Sequence, residues 1–470
     1  MEDSVILGMT LNKMPEFPEV HTVIETLKEF TLNKTIVGVD VLRAKNVTGD
    51  LSSLVGSTIT SYSQVGKFIV FHFNNDKILI SHLRMEGKYF LRKENEPNQK
   101  HDIASLSFSD GTKLVYNDTR KFGILQVSNK EKYLKEAPLN KVGPNPFEMK
   151  DAKILQKAFK NKTIPIKTAL LDQSVMSGLG NIYVDEVLFE CKIHPETPAK
   201  LVNSSQLEDI LKASKKILQK AIEEGGSTIK SYHPKEGVSG NFRVSLKVYG
   251  KKDETCLRCG HSLRKIFVNG RGTTYCPKCQ KNPALHHVIA ITGPIGSGKS
   301  TVLNVFNNLG YKTLSADKIT HDLYKQKAVQ DDIRKFIPEL KLSYGEIDRD
   351  YLREYLLDNP NKKKRLEKYV HNLVSEKIIK EIKNSNKDIA MEVPLLFESH
   401  LDDFADDIIY VDVNNEVRTK RLIKRDKDFK ETLLINKDYN TQNKKKATYI
   451  IMNNNDIADL EKQIRTIYGK

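Results

Sequence analysis

Apolar and polar positions alternate from residue 15 to about residue 135, as in Thr58-Ile59-Thr60-Ser61-Tyr62, Phe68-Ile69-Val70-Phe71-His72-Phe73 and Lys113-Leu114-Val115-Tyr116. A period of two is what a strand with one buried face produces, so this stretch predicts a β-rich domain. One helix, at about 18–30, opens it. Between residues 150 and 225 the period lengthens. Leu155, Ala158 and Phe159, then Val184, Val187 and Leu188, then Ile210, Leu211, Ile217 and Leu218 recur at helical spacing. A hairpin pattern follows: Ile266-Phe267-Val268, the tight-turn pair Asn269-Gly270, then Thr273-Thr274-Tyr275. From Val288 onward strands alternate with helices, which predicts a parallel α/β sheet. A chain of 470 residues holds three or four domains. The pattern divides it into an extension at 1–13, a β domain at 14–140, a helical domain at 145–240, a hairpin at 245–282 and an α/β domain at 288–470.

Cysteine placement gives the hairpin a reason to exist. Cys256-x-x-Cys259 and Cys276-x-x-Cys279 have the paired-knuckle spacing of a structural Zn²⁺ site, one ion per chain. A disulfide pair is the alternative. No signal peptide or apolar span is visible, a cytoplasmic location is expected, and thiols stay reduced there, so zinc is the preferred reading. Cys191, among Leu188, Phe189 and Ile193, reads as a core residue. Residues 1–287 carry 43 Lys and Arg against 31 Asp and Glu, whereas residues 288–470 carry 33 against 29. The positive excess therefore sits with the hairpin and points to a polyanionic partner, with DNA favoured over an ordinary basic enzyme surface.

Met14-Pro15-Glu16-Phe17-Pro18-Glu19-Val20 carries candidate chemistry of its own. With Met14 as the start and removed, Pro15 is a free secondary amine next to a carboxylic acid. An α-amino group titrates near ~7.7–8.0, so a useful fraction is neutral and able to attack a sugar C1′ and form a Schiff base. With residues 1–13 attached, the Pro15 nitrogen is an amide without a nucleophilic lone pair. Translation from Met14 is the expectation.

These residues, together with Gly66-Lys67, Ser81-His82-Leu83-Arg84-Met85, Asn117-Asp118-Thr119-Arg120-Lys121-Phe122-Gly123, Gly178-Leu179-Gly180-Asn181-Ile182-Tyr183, Gly225-Gly226-Ser227-Thr228 and the four cysteines, closely resemble bacterial formamidopyrimidine-DNA glycosylases over residues 14–281. The resemblance implies a β-sandwich, a helix–two-turns–helix unit and a zinc-finger hairpin, acting on double-stranded DNA that contains oxidised purines. It implies Pro15 as nucleophile and Glu16 as the acid that protonates the ring oxygen, a role needing a raised pKa. Lys67 would contact phosphate and assist proton transfer, and Arg271 would reach the phosphate flanking the lesion. Met85 and Phe122 would fill the gap left by the everted base while Arg120 pairs with its orphaned partner; core packing is the alternative for the two apolar residues. His82, His101, Lys162, Lys167 and Asn181 would be further DNA contacts, the last three as phosphate clamps. Phe17 and a flap running through Tyr232 to Asn241 favour the purine-lesion branch.

The last domain carries separate chemistry. Val288-Ile289-Ala290-Ile291-Thr292 feeds Gly293-Pro294-Ile295-Gly296-Ser297-Gly298-Lys299-Ser300-Thr301, a P-loop between a strand and a helix. Its glycines let backbone N–H groups face phosphate, Lys299 bridges phosphates and Ser300 offers a hydroxyl to Mg²⁺ accompanying ATP. With Asp317, Glu392-Val393-Pro394-Leu395-Leu396-Phe397-Glu398 and a helix bearing Arg418, Arg421 and Arg425 as a lid would, residues 288–470 resemble dephospho-coenzyme A kinases. Asp317 would then be the base for the ribose 3′-hydroxyl of dephospho-CoA, Arg421 and Arg425 would meet ATP, and Gly345, Asp348 and His371 would lie on the acceptor side. The chain departs from that pattern at Ser315, at Ala447-Thr448 and at Asn372. The competing reading is an inert lesion-DNA binder fused to another P-loop small-molecule kinase. No membrane partner is expected.

Overall fold

The computed structural model describes residues 5–7, 15–226, 245–425 and 443–469, and it forms two compact units, Met1–Ala284 and Leu285–Lys470. The expected flap, running through Tyr232 to Asn241, lies outside the described residues.

In the first unit the alternating stretch folds into two five-stranded sheets. One runs in the order Val5–Leu7, Gly87–Lys93, Thr112–Asp118, Asp102–Phe108 and Ile36–Val41; the other runs Val47–Thr48, Ile124–Asn129, Lys77–His82, Phe68–Phe73 and Ile59–Val65. Inward residues of both sheets, including Ile36, Phe71, Leu79, Phe108, Leu114 and Tyr116, form one core, as a sandwich with alternating patterning must. Part of the extension takes part in this sheet, with Val5 to Leu7 pairing antiparallel to Leu91 to Tyr89.

The helix Phe17–Thr31 joins two cores. Val20, Val23, Ile24 and Leu27 pack into the sandwich, while Phe17 packs into the helical core with Leu179, Ile182 and Val184. That helical core gathers Lys153–Phe159, Ile166–Leu170, Asn181–Glu190 and Ser204–Glu223. Asn203 starts the last of these by accepting from Gln206 N–H at 2.9 Å. The hairpin strands Arg264–Val268 and Arg271–Tyr275 pair antiparallel about Asn269-Gly270, whose φ values of 46° and 73° give the left-handed pair that a two-residue turn requires.

In the second unit five parallel strands lie in the order Lys312–Ser315, Ile389–Glu392, Val288–Thr292, Asp407–Asp412 and Tyr449–Met452. The central strand Val288–Thr292 is buried along its whole length, which explains why its sequence is a continuous apolar run. It leads into the helix Lys299–Asn308 at its carboxyl end, where ligands bind in open α/β sheets.

Candidate active sites

Six expected residues of the first unit, Glu16, Lys67, His82, Met85, Asn181 and Arg271, line one cavity of about 360 Å³. Glu16 is 3 % exposed. Its carboxylate accepts from the N–H groups of Gly180 (2.8 Å), Ile182 (2.9 Å) and Tyr183 (3.3 Å), at the start of the helix Asn181–Glu190 where donors lack an intrahelical acceptor. Burial raises its pKa to about 7; Lys67 pulls it down, Glu19 pushes it up, and the helix N–H groups oppose the rise. Gly180 has to be glycine, because a Cβ there would overlap the Glu16 carboxyl. Glu19 fixes the backbone, accepting from Glu16 N–H at 3.0 Å and from the Tyr183 hydroxyl at 2.6 Å. Pro15 is buried beside them.

Lys67 follows Gly66, whose φ of 57° turns the chain between two strands. It is 8 % exposed, and burial lowers its pKa against the opposing pull of Glu16 and Glu19. His82 forms a wall of the cavity. Its ring meets Phe68 edge-on at 4.5 Å, its Nδ1 accepts from Arg84 N–H at 2.9 Å, and burial lowers its pKa to about 3, so it stays neutral.

Met85, Arg120 and Phe122 form a single cluster. An Arg120 Nη1 donates to Met85 Sδ at 3.0 Å and the guanidinium lies 5.3 Å from the Phe122 ring centre. Phe122 is 58 % exposed, which excludes core packing for it. The loop carrying Arg120 and Phe122 is shaped by Asp118, whose buried carboxylate accepts from the N–H groups of Arg120, Phe122 and Gly123 at 2.7–2.9 Å. His101 abuts the same loop, its carbonyl accepting from Asp118 N–H at 2.9 Å. Asp118 has no site role in the sequence reading; acidic residues ahead of glycine-containing turns are the signal that reveals such loop-shaping roles.

Lys167 requires correction. It is fully buried, and its ammonium donates to Asp185 Oδ1 at 2.7 Å, to Thr273 Oγ1 at 2.8 Å and to Gly272 O at 3.3 Å. An ammonium with its three donors placed internally is no phosphate clamp. Lys162 remains half-exposed beside Asp172 at 3.3 Å, and Asn181 Nδ2 donates to Gly272 O at 3.0 Å.

The four hairpin cysteines converge. Their sulfurs all lie within 4.8 Å of one another, with Cys259–Cys276 at 3.5 Å and Cys256–Cys279 at 4.0 Å. A tetrahedral zinc with Zn–S bonds of about 2.3 Å spaces its sulfurs about 3.8 Å apart, so the set fits one Zn²⁺ and no sulfur pair is bonded to another.

In the second unit Gly293, Gly296, Gly298, Lys299, Ser300, Asp317, Glu392 and Arg421 line a cavity of about 820 Å³. Gly298 caps the helix with φ 87°, and a Cβ on it would overlap Asn453 Nδ2. Asn453 itself donates to Ser297 O at 2.7 Å and so holds the loop from the last strand, a role that sequence reading missed. Ser297 and Thr301 belong to the loop's own scaffold, Ser297 being buried and Thr301 N–H donating to Gly298 O at 3.0 Å. Lys299 Nζ donates to Pro294 O at 3.0 Å. Arg421 Nη2 donates to Asn453 Oδ1 at 3.4 Å, whereas the Arg425 side chain lies outside the described residues. Arg418 differs from the lid expectation: it is 7 % exposed and its Nε donates to Ile295 O at 3.0 Å, bracing the loop from beneath. Asp317, in the first turn of Ala316–Tyr324, lines both the large cavity and a neighbouring one of about 130 Å³ that also holds His371. Glu392 lines the larger cavity; burial raises its pKa, Lys299 opposes the rise and Asp317 adds to it. Asp348 caps a helix by accepting from Tyr351 N–H at 3.0 Å.

Comparison with known proteins separates the same two units. Family models match at residues 14–125 (formamidopyrimidine-DNA glycosylase N-terminal domain), 142–233 (its H2TH domain), 253–282 (zinc finger found in FPG and IleRS) and 287–459 (dephospho-CoA kinase). The formamidopyrimidine-DNA glycosylase of Bacillus licheniformis is 44 % identical over 275 residues, which is 57 % of this chain and 100 % of that protein. That of Halalkalibacterium halodurans is 45 % identical over the same shares. A crystal structure of Lactococcus lactis Fpg in complex with DNA containing an abasic site matches with 40 % identity and a TM-score of 0.53, covering 57 % of this chain and all of that one. Whole glycosylases thus align end to end with the part that holds Glu16 and the cysteine cluster, and the P-loop unit lies beyond them: the chain belongs to the formamidopyrimidine-DNA glycosylase family and carries a dephospho-CoA kinase domain in fusion with it.

Proposed function

We propose that the chain is a bifunctional enzyme, a glycosylase and abasic-site lyase for oxidised purines in double-stranded DNA joined to an ATP-dependent dephospho-CoA kinase, acting in the cytoplasm. The observation that carries the first activity is Glu16, a buried carboxyl group with a pKa of about 7 directly beside Pro15. In the form that begins at Pro15, the neutral amine attacks C1′ of the damaged nucleotide. The bond from C1′ to the base breaks, the base leaving with the proton that the amine loses, and Glu16 gives its own proton to the ring oxygen, which opens the sugar and leaves a Schiff base. Lys67 and Arg271 face the flanking phosphates and favour their departure in the eliminations that follow. Met85 and Phe122 occupy the space of the everted base and Arg120 meets its partner. The four cysteines hold zinc, which fixes the hairpin that presents Arg271.

In the kinase unit the Gly293–Thr301 loop and Lys299 take the ATP phosphates. Ser300 is the residue that would hold Mg²⁺, which supplies charge neutralisation at the transferred phosphoryl group. Asp317 takes the proton of the ribose 3′-hydroxyl, with His371 across the acceptor cavity. No helix among the described residues is long and apolar enough to cross a membrane.

The direct test is covalent capture. Borohydride should trap the processed chain on 8-oxoguanine DNA through Pro15, and the same preparation should phosphorylate dephospho-CoA in preference to nucleosides or shikimate. Capture through a lysine, or full glycosylase activity in the intact 470-residue form, would overturn the proline assignment. Absence of transfer to dephospho-CoA would overturn the acceptor.

A further inference from the structure

Lys167, Asp185 and the strand Arg271–Tyr275 form a buried polar joint that the reaction chemistry does not use. Lys167 reaches Gly272 O and Thr273 Oγ1, and the second oxygen of Asp185 accepts from Thr274 N–H at 2.9 Å. Asn181 adds its bond to Gly272 O, and Asn269 Nδ2 in the hairpin turn donates to Thr168 Oγ1 at 3.0 Å. Every residue from 272 to 274 is therefore tied to the helices Ile166–Leu170 and Asn181–Glu190. Arg271, the next residue back, lines the same cavity as Glu16.

The helix Asn181–Glu190 does two things at once. Its first-turn N–H groups hold Glu16, and Asp185 one turn later holds the strand behind Arg271. A two-stranded hairpin has little stability of its own, and the cysteine cluster grips this one only at the end away from the turn. A buried ion pair is a poor source of stability, since desolvation offsets most of its attraction. What a Lys–Asp pair with all its bonds directed at a neighbouring strand does supply is register and distance.

We propose that Lys167 and Asp185 are positioning residues that hold Arg271 at a fixed distance from Glu16, by pinning Gly272, Thr273 and Thr274 to the helix that carries the acid. This rests on the reading of Arg271 as the residue that meets the flanking phosphate. The pair acts on strand cleavage through Arg271 and takes no part in recognising the damaged base.

The test uses the full chain processed to Pro15, acting on duplex DNA with a preformed abasic site. Replacing the pair together, Lys167→Met with Asp185→Leu, avoids stranding a buried charge. Thr273→Val removes the bond from Lys167 Nζ together with the hydroxyl's own bond to Arg271 O at 2.9 Å, leaves the Lys167–Asp185 pair in place, and serves as the milder variant should the double replacement not fold. Misplacement of a reacting group by about 1 Å costs on the order of 10²-fold, so the double replacement should lower kcat for cleavage by that order. KM for DNA, zinc content and kinase activity should hold. Thr273→Val should lose part of the same rate. Combined with Arg271→Ala, either change should add nothing further, because the residue through which it acts is gone. Additive losses, or full cleavage by a folded, zinc-loaded variant, would overturn the positioning role. Unchanged cleavage by Arg271→Ala alone would remove the reading of Arg271 and this proposal with it.

Discussion

Among the described residues two helices are capped at their N-terminus by glycine, and their first turns meet opposite fates. In Asn181–Glu190 the first-turn N–H groups close on the protein's own Glu16, so the positive end of the helix is filled from within. In Lys299–Asn308 the corresponding end opens, behind Gly298, onto a cavity of about 820 Å³. The physics is the same, since orphan donors and the helix dipole favour negative charge. The difference is what supplies the charge. The glycosylase uses its helix to hold a carboxyl group whose pKa burial pushes up to about 7; the kinase reserves its helix for a substrate phosphate.

The largest effects should come from removing the proposed acid Glu16 or the proposed base Asp317. Glu16→Gln and Asp317→Asn should each reduce turnover roughly 10²–10⁴-fold, the usual contribution of a positioned proton donor or acceptor. Each loss should be confined to its own reaction, measured as base excision in one assay and as phosphoryl transfer in the other. Loss of both activities in either variant would break the comparison between independent sites. Asp317→Asn should leave ATP affinity close to normal, because the loop that grips the phosphates is untouched.

The two starting glycines give a closer comparison at smaller cost. Gly180→Ala places a methyl group where the Glu16 carboxyl lies, at a backbone conformation alanine tolerates. Gly298→Ala places one against Asn453 and also forces φ 87° on a residue with a side chain. A loss on the order of 10²-fold is expected in each case from displaced groups. Gly298→Ala should also weaken ATP binding, measurable by calorimetry, whereas Gly180→Ala should leave DNA affinity nearly unchanged. Equal loss of ligand affinity in both would mean that Glu16 does not fill its helix in the way described.

The smallest effect is a matter of pH. Glu16 titrates near 7 in the folded unit against 4.5 for an ordinary glutamate. Between those values the folded state binds the extra proton, so the stability of the first unit should fall as pH rises through that window and level off above about 7. The proton-bearing form needed for ring opening declines over the upper part of the same range. Excision should therefore drop about tenfold per unit well above pH 7, and Glu16→Gln should flatten that limb. A limb that persists in Glu16→Gln would assign the titration elsewhere.

Much of this was legible from residue patterns because the signals are local. The period-two stretch became the sandwich, Asn269-Gly270 became a left-handed turn, and the four cysteines met. The P-loop lies between its strand and helix as its glycines require. What escaped were partnerships across long separations. A lysine in Ile166-Lys167-Thr168-Ala169-Leu170 looks like an exposed cation, yet its counter-charge is 18 residues ahead and its other partners over a hundred. The apolar residues on both sides were the available sign that this lysine faces inward. Arg418 misled in the same way: spacing placed it on a helix with Arg421, and only packing decided that one arginine braces the loop while the other borders the cavity. Asn453 stands at the end of the last strand with no motif around it.

The bonds from Glu16 to Gly180, Ile182 and Tyr183 span 164 to 167 residues of chain. On a ribosome the acid therefore emerges long before the helix that will hold it, and the hairpin tied to that helix follows roughly ninety residues later. Contacts of such sequence separation form slowly, since the loop between them must close first. The first unit cannot become a competent glycosylase until about residue 280 has been made, however early its sandwich folds. The kinase loop, whose strand and helix are adjacent in sequence, needs only its own sheet. Chains truncated between the hairpin and the P-loop should thus already excise once processed to Pro15, while those truncated before residue 270 should still hold Glu16 on its helix and lack Arg271.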